Sequence, residues 1–495
     1  MNTVDDARLL GARRDDVARA LKSVLPSHCL LADPEQTRPY ECDGLSAYRQ
    51  MPMLVALPET EQQVVDILHI CRKLRVPIVP RGAGTGLSGG ATPIADGLVL
   101  STAKLNKIIT VDPYARLVRV QPGVRNLAIS DAAAPHGLYY APDPSSQIAC
   151  TIGGNVAENS GGVHCLKYGL TIHNVMRVRM VSMAGEIMEL GSEALDAAGF
   201  DLLAIFIGSE GMLGIVTEVT VKLIPKPAAA RVIMASFDDV VGGGNAVAAV
   251  IAAGIIPAGL EMMDRTSTRM VEPFVNAGYD IDAAAILLCE ADGTADEVEE
   301  EIVLMKAVLE QAGARALAVS SSDAERLRFW SGRKNAFPAA GRISPDYYCM
   351  DGTIPRKRLA EVLLGIEAME KKHGLRCANV FHAGDGNLHP LILFDANQPG
   401  EFDRAEAFGA DILALCVEVG GTITGEHGVG IEKINSMCVQ FSPVEREAFF
   451  DVKRAFDPDM LLNPDKAIPT LQRCAEFGKM HVTRGLLKFP ELPRF

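Results

Sequence analysis

The sequence predicts an α+β protein of two or three domains. First, 495 residues exceed what a single hydrophobic core usually serves. Second, short apolar stretches ended by Gly and Pro dominate residues 51–228, which is the pattern of strands joined by turns. Third, strands and helices succeed one another from residue 229 to about 425 in an order that suits one antiparallel sheet with helices on one face.

Residues 1–50 read as an N-terminal helical arm. In "LPETEQQVVDILHICRKLRVPIVP", Thr60 and Gln63 form a capping box, and Val64, Ile67, Leu68, Cys71 and Leu74 share one helical face. "VPIVP", "GLVLS", "KIITVD" and "LVRVQPG" read as strands, and "VMRVRMVSMAGEIMEL" as a hairpin turning at Ala184-Gly185. "GIVTEVTVKLIPKP" is a strand ended by Pro225 and Pro227, so the first domain is placed at 51–228. The second region, 229–425, contains helices near 242–253, 294–312, 323–336 and 355–373, interleaved with "ARVIMASF", "AAAILLCEADG" and "YYCMDGTIP". Residues 426–495 form a C-terminal segment with a helix near 443–456.

Composition narrows the function classes. A net charge of -14 argues against a nucleic-acid surface, because no basic field gathers around phosphates. No apolar run reaches the roughly 18 to 20 residues of a membrane span. The first residues, MNTVDDARLLGARRDDVARALKSV, lack the apolar centre of a secretion signal, so a cytoplasmic protein is expected. None of the eleven cysteines falls in a C-x-x-C pair, which argues against an iron–sulfur cluster or zinc ribbon and for reduced, mostly buried thiols.

"PRGAGTGLSGGA", Pro80 to Ala91, contains Gly84-x-Gly86-x-x-Gly89, formally a dinucleotide fingerprint. That motif must open a helix, yet Pro93 and Gly97 stand where the helix belongs, so the Rossmann reading is rejected. The remaining functional reading is a nest of backbone N–H groups for phosphate, with Thr85 and Ser88 as hydroxyl donors and Arg81 as a charge. The bland alternative is a glycine-rich structural turn. Two further small-residue loops, within Ala141–Thr171 and Ile207–Leu223, shift the balance toward a groove closely lined by backbone for a long flat ligand such as a flavin dinucleotide.

"VFHAGDGNLHPLILF", Val380 to Phe394, reads as two apolar strands reversing at Asp385-Gly386, with His382 and His389 flanking the turn. Imidazole is the commonest ligand for borderline divalent metals, and "TGEHGVG" adds Glu426 and His427. Two His and one Glu make a three-ligand site that keeps positions open. The alternative is a pair of core histidines capping strand carbonyls. Asp385 and Asn387 are read as shaping the turn.

The set "PRGAGTGLSGG", "DPSS…CTIGGN", "GSEGMLGIVTEVTVKL", "HAGDGNLHP", "GEHGVG" and "LLNPDK" resembles the FAD-dependent oxidoreductases of the vanillyl-alcohol oxidase (PCMH-type) superfamily, in particular the D-2-hydroxyacid dehydrogenase branch. "FWSGRKNAFPAAGRISPDYYCMDGTIP" and "RCAEFGKMHV" are especially similar to the flavoprotein subunits of bacterial glycolate dehydrogenases, also called glycolate oxidases. The resemblance implies a PCMH-type FAD-binding domain of two α/β subdomains, a ferredoxin-like α+β cap with an antiparallel sheet, and a C-terminal segment returning to the FAD domain. It implies that FAD is held by Arg81, Gly82, Ala83, Gly84, Thr85, Gly86, Leu87 and Ser88. Pro144, Ser145, Gly153, Gly154, Asn155, Glu158, Asn159 and Gly162 would join them, with Glu210, Gly211, Ile215 and Asn463. Some relatives attach flavin through a His in this loop; here Arg81-Gly-Ala-Gly-Thr85 carries none, so non-covalent FAD is expected. The resemblance also implies a divalent metal (zinc, manganese or iron) on His382, His389 and Glu426.

The expected chemistry is oxidation of a small 2-hydroxy acid, glycolate to glyoxylate or D-lactate to pyruvate. His427 is the candidate base, and Arg333 the candidate clamp for the substrate carboxylate. The alternative for Arg333 is a solvated helix arginine. Cys349 stands, in this register, where hydroxyglutarate-specific relatives carry Lys, which favours a small monocarboxylate. Competing readings are a D-lactate or D-2-hydroxyglutarate dehydrogenase acting alone, a metal-dependent hydrolase, and a non-catalytic FAD-binding scaffold. The resemblance further implies partner subunits, one of them iron–sulfur, a quinone acceptor, and peripheral association with the inner membrane. The tail "RCAEFGKMHVTRGLLKFPELPRF" is read either as a docking segment or as coil packed on its own chain.

Overall fold

The computed structural model describes residues 3–194 and 198–469; the proposed docking tail lies outside the described residues. The first region is built on two sheets. One orders Leu30–Leu31, Leu54–Ala56, Leu98–Ser101 and Ile78–Arg81. Its last three strands are parallel, with the helix Glu61–Leu74 as the crossover. That helix starts where Thr60 Oγ1 accepts from Gln63 N (3.2 Å) and Gln63 Oε1 accepts from Glu59 N (2.7 Å). Val64, Ile67, Leu68 and Cys71 are fully buried, whereas Leu74 at the helix end is exposed.

The second sheet is antiparallel and orders Ile108–Asp112, Leu117–Val120, Ile215–Lys222, Val175–Val181 and Ile187–Gly191. The hairpin between its last two strands turns at Gly185, whose φ of +80° is the left-handed conformation such a turn requires.

A third, seven-stranded sheet begins at Ala229, four residues past Pro225. Its order is Ala316–Val319, Ala229–Phe237, Ala285–Gly293, Gly259–Asp264, Arg376–Phe381, Pro390–Phe394 and Asp346–Cys349, all pairings antiparallel. Here the structure corrects the expectation of helices on one face. Leu287, Cys289 and Ala291 pack in one core with Val247, Ile302 and Leu363 from the helices Val240–Ala252, Ala295–Gln311 and Leu359–His373. Ile286 and Leu288 pack on the opposite side with Met270, Phe329 and Trp330 from Arg265–Val275 and Asp323–Lys334. The central strand reads "AILLCEAD" because both of its faces are covered, and a strand covered twice has no reason to alternate.

After this sheet the chain returns to the first region. Ile78 N donates to Leu461 O (2.8 Å), and Asn463 N donates to Ile78 O (2.7 Å). Buried Lys453, on the helix Pro443–Phe456, donates to Met212 O, Leu462 O and Asp457 Oδ2.

A charged network joins the two regions. Nδ1 of His164 bonds Asp143 Oδ2 (2.8 Å), and Nε2 bonds Glu290 Oε1 (3.3 Å) on the central cap strand. Glu290, fully buried, also takes both Arg326 nitrogens and Trp330 Nε1. Lys167 and Tyr168 both reach Asp292, two residues along. Burial by itself would lower the His164 pKa, but Asp143 and then Glu290 hold it up at about 10. A raised histidine pKa stabilises the fold fully below its ordinary value near 6.5, and that stabilisation fades as pH rises through about 10. The apparent melting temperature is therefore expected to fall by several degrees between pH 7 and pH 10, and His164→Gln is expected to flatten that slope, as thermal scans across pH would measure.

Candidate active site

The three glycine-bearing loops converge on one cavity of about 410 Å³ between the two sheets of the first region and the cap. The first leaves the parallel strand Ile78–Arg81 with Gly84 at a φ of +71°. A Cβ at Gly82 would lie 2.5 Å from Thr151 Oγ1, and one at Gly153 would lie 2.6 Å from Pro122 Cβ, so the loops close on each other without room for side chains. Arg81 to Leu87, Pro144, Ser145, Gly153, Gly154, Asn155, Glu158, Glu210, Gly211 and Ile215 all line the cavity.

Four residues expected at the cofactor do not line it. Ser88 is fully buried, and its carbonyl accepts from Ile431 N and Glu432 N. Asn159 takes a left-handed turn at a helix end, and its Oδ1 accepts from Ile172 N. Gly162 lines a neighbouring cavity instead. Asn463 supports the loops from behind, donating Nδ2 to Gly90 O (2.9 Å) and Glu210 O (2.7 Å). In each case hydrogen bonds to the chain itself, or the direction of a turn, decided what the motif alone could not.

At one end of the same cavity stand His389, Glu426 and His427. The hairpin strands Arg376–Phe381 and Pro390–Phe394 pair in register up to the bridge between His382 and Asn387, which brings the two imidazoles together with ring centroids 5.1 Å apart. Nε2 of His389 lies 2.9 Å and Nε2 of His382 3.4 Å from Glu426 Oε1. One atom from each of His382, His389 and Glu426 falls within 4.8 Å of the others. Nδ1 of His382 is held by Glu261 Oε1 (2.6 Å), a carboxylate behind a histidine of the kind that fixes tautomer and ring orientation at metal sites. The donor set of two imidazoles and a carboxylate fits a borderline divalent cation. Cys349 forms a second triplet with His389 and His427, but burial pushes its thiol well up, so it offers no thiolate.

Glu210 carries this loop to the flavin-type cradle: its carboxylate accepts from Val429 N and Gly430 N, both at 2.7 Å. Thr151 Oγ1 and Glu158 Oε2, both in the cavity lining, are buried without a hydrogen-bond partner. Buried orphan groups beside a Cβ-free backbone fit a flat cofactor that brings its own hydrogen-bond donors and acceptors.

His427 stacks on His389 with centroids 5.0 Å apart and planes 11° apart, and its Nε2 lies 3.9 Å from Glu426 Oε1. Burial lowers its pKa to about 4, so the ring is neutral at neutral pH and can accept a proton. Arg333 is not in the cavity lining. Its Nε donates to Glu261 Oε2 (2.5 Å) and its Nη2 lies 3.5 Å from His382 Nδ1, which makes it neither a solvated arginine nor, in this arrangement, an open clamp. Asp385 shapes its turn by accepting from Asn387 N.

Sequence reading missed Asp351. It is fully buried and accepts from Asn387 Nδ2 (2.7 Å), Thr424 Oγ1 (2.6 Å), Gly425 N (3.0 Å), His427 N (2.9 Å) and Lys433 Nζ (3.1 Å). Burial would raise its pKa, but Lys433 holds it far below the usual carboxylate range. In "CMDGT" the Asp-Gly pair signals a turn, and nothing local marks the acid as a hub. Glu261, the acid between Leu260 and Met262 in "GLEMMD", did carry a signal: a charge flanked on both sides by apolar strand residues.

Comparison with known proteins follows the same division of the chain. Residues 52–191 match the FAD binding domain family, and residues 226–467 match the C-terminal domain of FAD linked oxidases. Glycolate oxidase subunit GlcD of Escherichia coli (strain K12) is 62% identical over 490 residues, 99% of this chain and 98% of its own. The subunit of the same name from Bacillus subtilis (strain 168) is 39% identical, over 86% of this chain and 91% of its own. A D-lactate dehydrogenase of Anaerostipes hadrus is 32% identical, over 91% of this chain and 97% of its own. Among solved structures, p-cresol methylhydroxylase with substrate bound superposes with a TM-score of 0.78 at 18% identity, covering 93% of this chain and 98% of that one, a likeness of fold.

Removing the Asp351 carboxylate strands a fully buried lysine. Asp351→Ala is expected to cost about 3–5 kcal/mol of stability, measured by urea unfolding, because Lys433 loses its counter-charge.

Proposed function

The chain belongs to the FAD-linked oxidases and is an FAD-dependent 2-hydroxyacid dehydrogenase; from that premise we propose that its substrate is glycolate, oxidised to glyoxylate, with D-lactate as the second candidate. The single observation that carries this reading is the shared cavity: His389 and Glu426 of the His–His–Glu cluster, with a neutral buried His427, border the same space that the glycine loops line. A metal-dependent hydrolase leaves that cradle without a purpose.

FAD bound along Arg81–Leu87, Gly153–Glu158 and Glu210–Ile215 supplies a hydride acceptor, held without a covalent bond because the first loop has no histidine. A divalent cation held by His382, His389 and Glu426 supplies a Lewis acid that lowers the pKa of a nearby hydroxyl. His427 takes the substrate hydroxyl proton on Nε2, the ring nitrogen turned toward Glu426. The stacked His389 ring fixes the plane of that base, and Asp351 fixes its backbone. Glu261 fixes His382, and Arg333 in turn neutralises Glu261 in a buried pair. The Cα hydrogen leaves with its electron pair as the hydroxyl proton reaches His427, so the alcohol carbon becomes a carbonyl and charge balances.

The two electrons then need an exit. No cysteine pair of cluster spacing exists in the sequence, so the reading includes an iron–sulfur partner subunit and a quinone beyond it. No helix among the described residues is long and apolar enough to cross a membrane, which makes partner-borne attachment to the inner membrane part of the same proposal.

Anaerobic addition of glycolate to the flavin-loaded protein is expected to bleach the visible flavin bands, and chelator treatment to slow that bleaching. His427→Gln is expected to slow it by about 100-fold or more at unchanged flavin content, the usual weight of a positioned base. Full-rate bleaching in that variant would remove His427 from the chemistry, and an unbleached wild-type protein would remove the substrate assignment.

A further inference from the structure

A 2-hydroxy acid brings a carboxylate into a cavity already lined by the carboxyl groups of Asp43, Glu158, Glu210 and Glu426. Such a lining repels a small anion unless a cation faces it. Besides the histidines and the divalent cation proposed for them, the lining holds two cationic side chains, Arg81 and Lys334. Arg81 is engaged: its Nη1 donates to Cys42 O at 2.7 Å, its guanidinium lies over the Tyr40 ring, and it packs under Gly84. Arg333 is engaged too, on buried Glu261, and is 2% exposed.

Lys334 differs from both. It is the last residue of the helix Asp323–Lys334, so its stem leaves the cap where the helix ends above the cavity. Lys334 is exposed and has no ion pair among the described residues. It borders the same space as His389, Glu426 and His427, alongside Phe337 and Pro338. Phe337 makes an edge contact with Tyr347, with centroids 5.8 Å apart, so the wall next to the lysine is apolar. An exposed lysine beside an apolar wall, on the same cavity as the cluster proposed to handle the alcohol end, suits the carboxylate of a short acid.

Resting on the reading above, we infer that Lys334 is the substrate-binding cation of this site, pairing with the carboxylate of a short 2-hydroxy acid while the adjacent Arg333 serves the histidine cluster.

The test uses the full flavin-loaded chain and two readouts. The first is binding of oxalate, a non-oxidisable two-carbon dicarboxylate, followed by the change in flavin absorbance. The second is steady-state oxidation of glycolate with a redox dye as acceptor. Lys334→Gln is expected to weaken oxalate binding and raise the glycolate KM by about ten-fold or more, the usual size of a lost charge-assisted hydrogen bond. The fall in kcat is expected to be smaller than the rise in KM, and Lys334→Arg is expected to recover most of the loss. Flavin content equal to wild type shows that the variants are folded. Unchanged oxalate affinity in Lys334→Gln overturns the assignment, as does a fall in kcat at constant KM. If wild-type protein binds oxalate but leaves glycolate untouched, the proposed reaction fails, while the oxalate comparison still decides the role of Lys334.

Discussion

A fully buried ion pair, Asp351 with Lys433, holds together the end of this molecule that carries the His–His–Glu cluster. Asp351 lies just past the last strand of the cap sheet, and Lys433 lies on the segment that leaves the cap for the first region. Between them the carboxylate gathers the backbone N–H groups of Gly425 and His427, the Thr424 hydroxyl and the Asn387 amide. A charge taken so far from water persists only if nearly all its lone pairs are used, and these groups use them. The consequence is geometric. Glu426 and His427 are presented to the histidine hairpin by a loop that has little freedom to drift.

The site is thus assembled from three separate stretches of chain, and each is held by something outside itself. His382 answers to Glu261, itself paired with Arg333. The Glu426–His427 loop answers to Asp351 on one side and, through Val429 and Gly430, to Glu210 of the first region on the other. Glu210 belongs to the third glycine-bearing loop, so the proposed metal cluster and the cofactor cradle share a fixed support. Hydride chemistry needs such a fixed support, because its rate depends steeply on alignment of the donor and acceptor atoms.

The burial pattern explains why so many of these groups have unusual proton affinities. His164 holds its proton because two carboxylates face it, and His427 loses its proton because burial outweighs the acids around it. The same side chain serves as a structural cation at the domain junction and, in the proposed mechanism, as a neutral base beside the His–His–Glu cluster. Its surroundings assign the role.

Much of this was legible in the sequence. Helix starts such as Thr60–Gln63, the hairpin at Gly185 and the paired histidines were all written in local patterns. A cap, a turn and a two-residue strand period are decided within a few residues. The glycine loops could be read as backbone-lined because absence of Cβ is a property of the residue itself. What the sequence could not determine was anything set by partners hundreds of residues away. Sequence spacing carries no information about which buried acid will collect six donors, so Asp351, read only as part of the strand "YYCMDGTIP", was passed over. It also could not say that Arg333 would turn inward to Glu261 while Lys334 faced the cavity. Those two residues are neighbours in the chain, and only the packing of the cap helix against its sheet decides which of them points into the protein and which toward the open site.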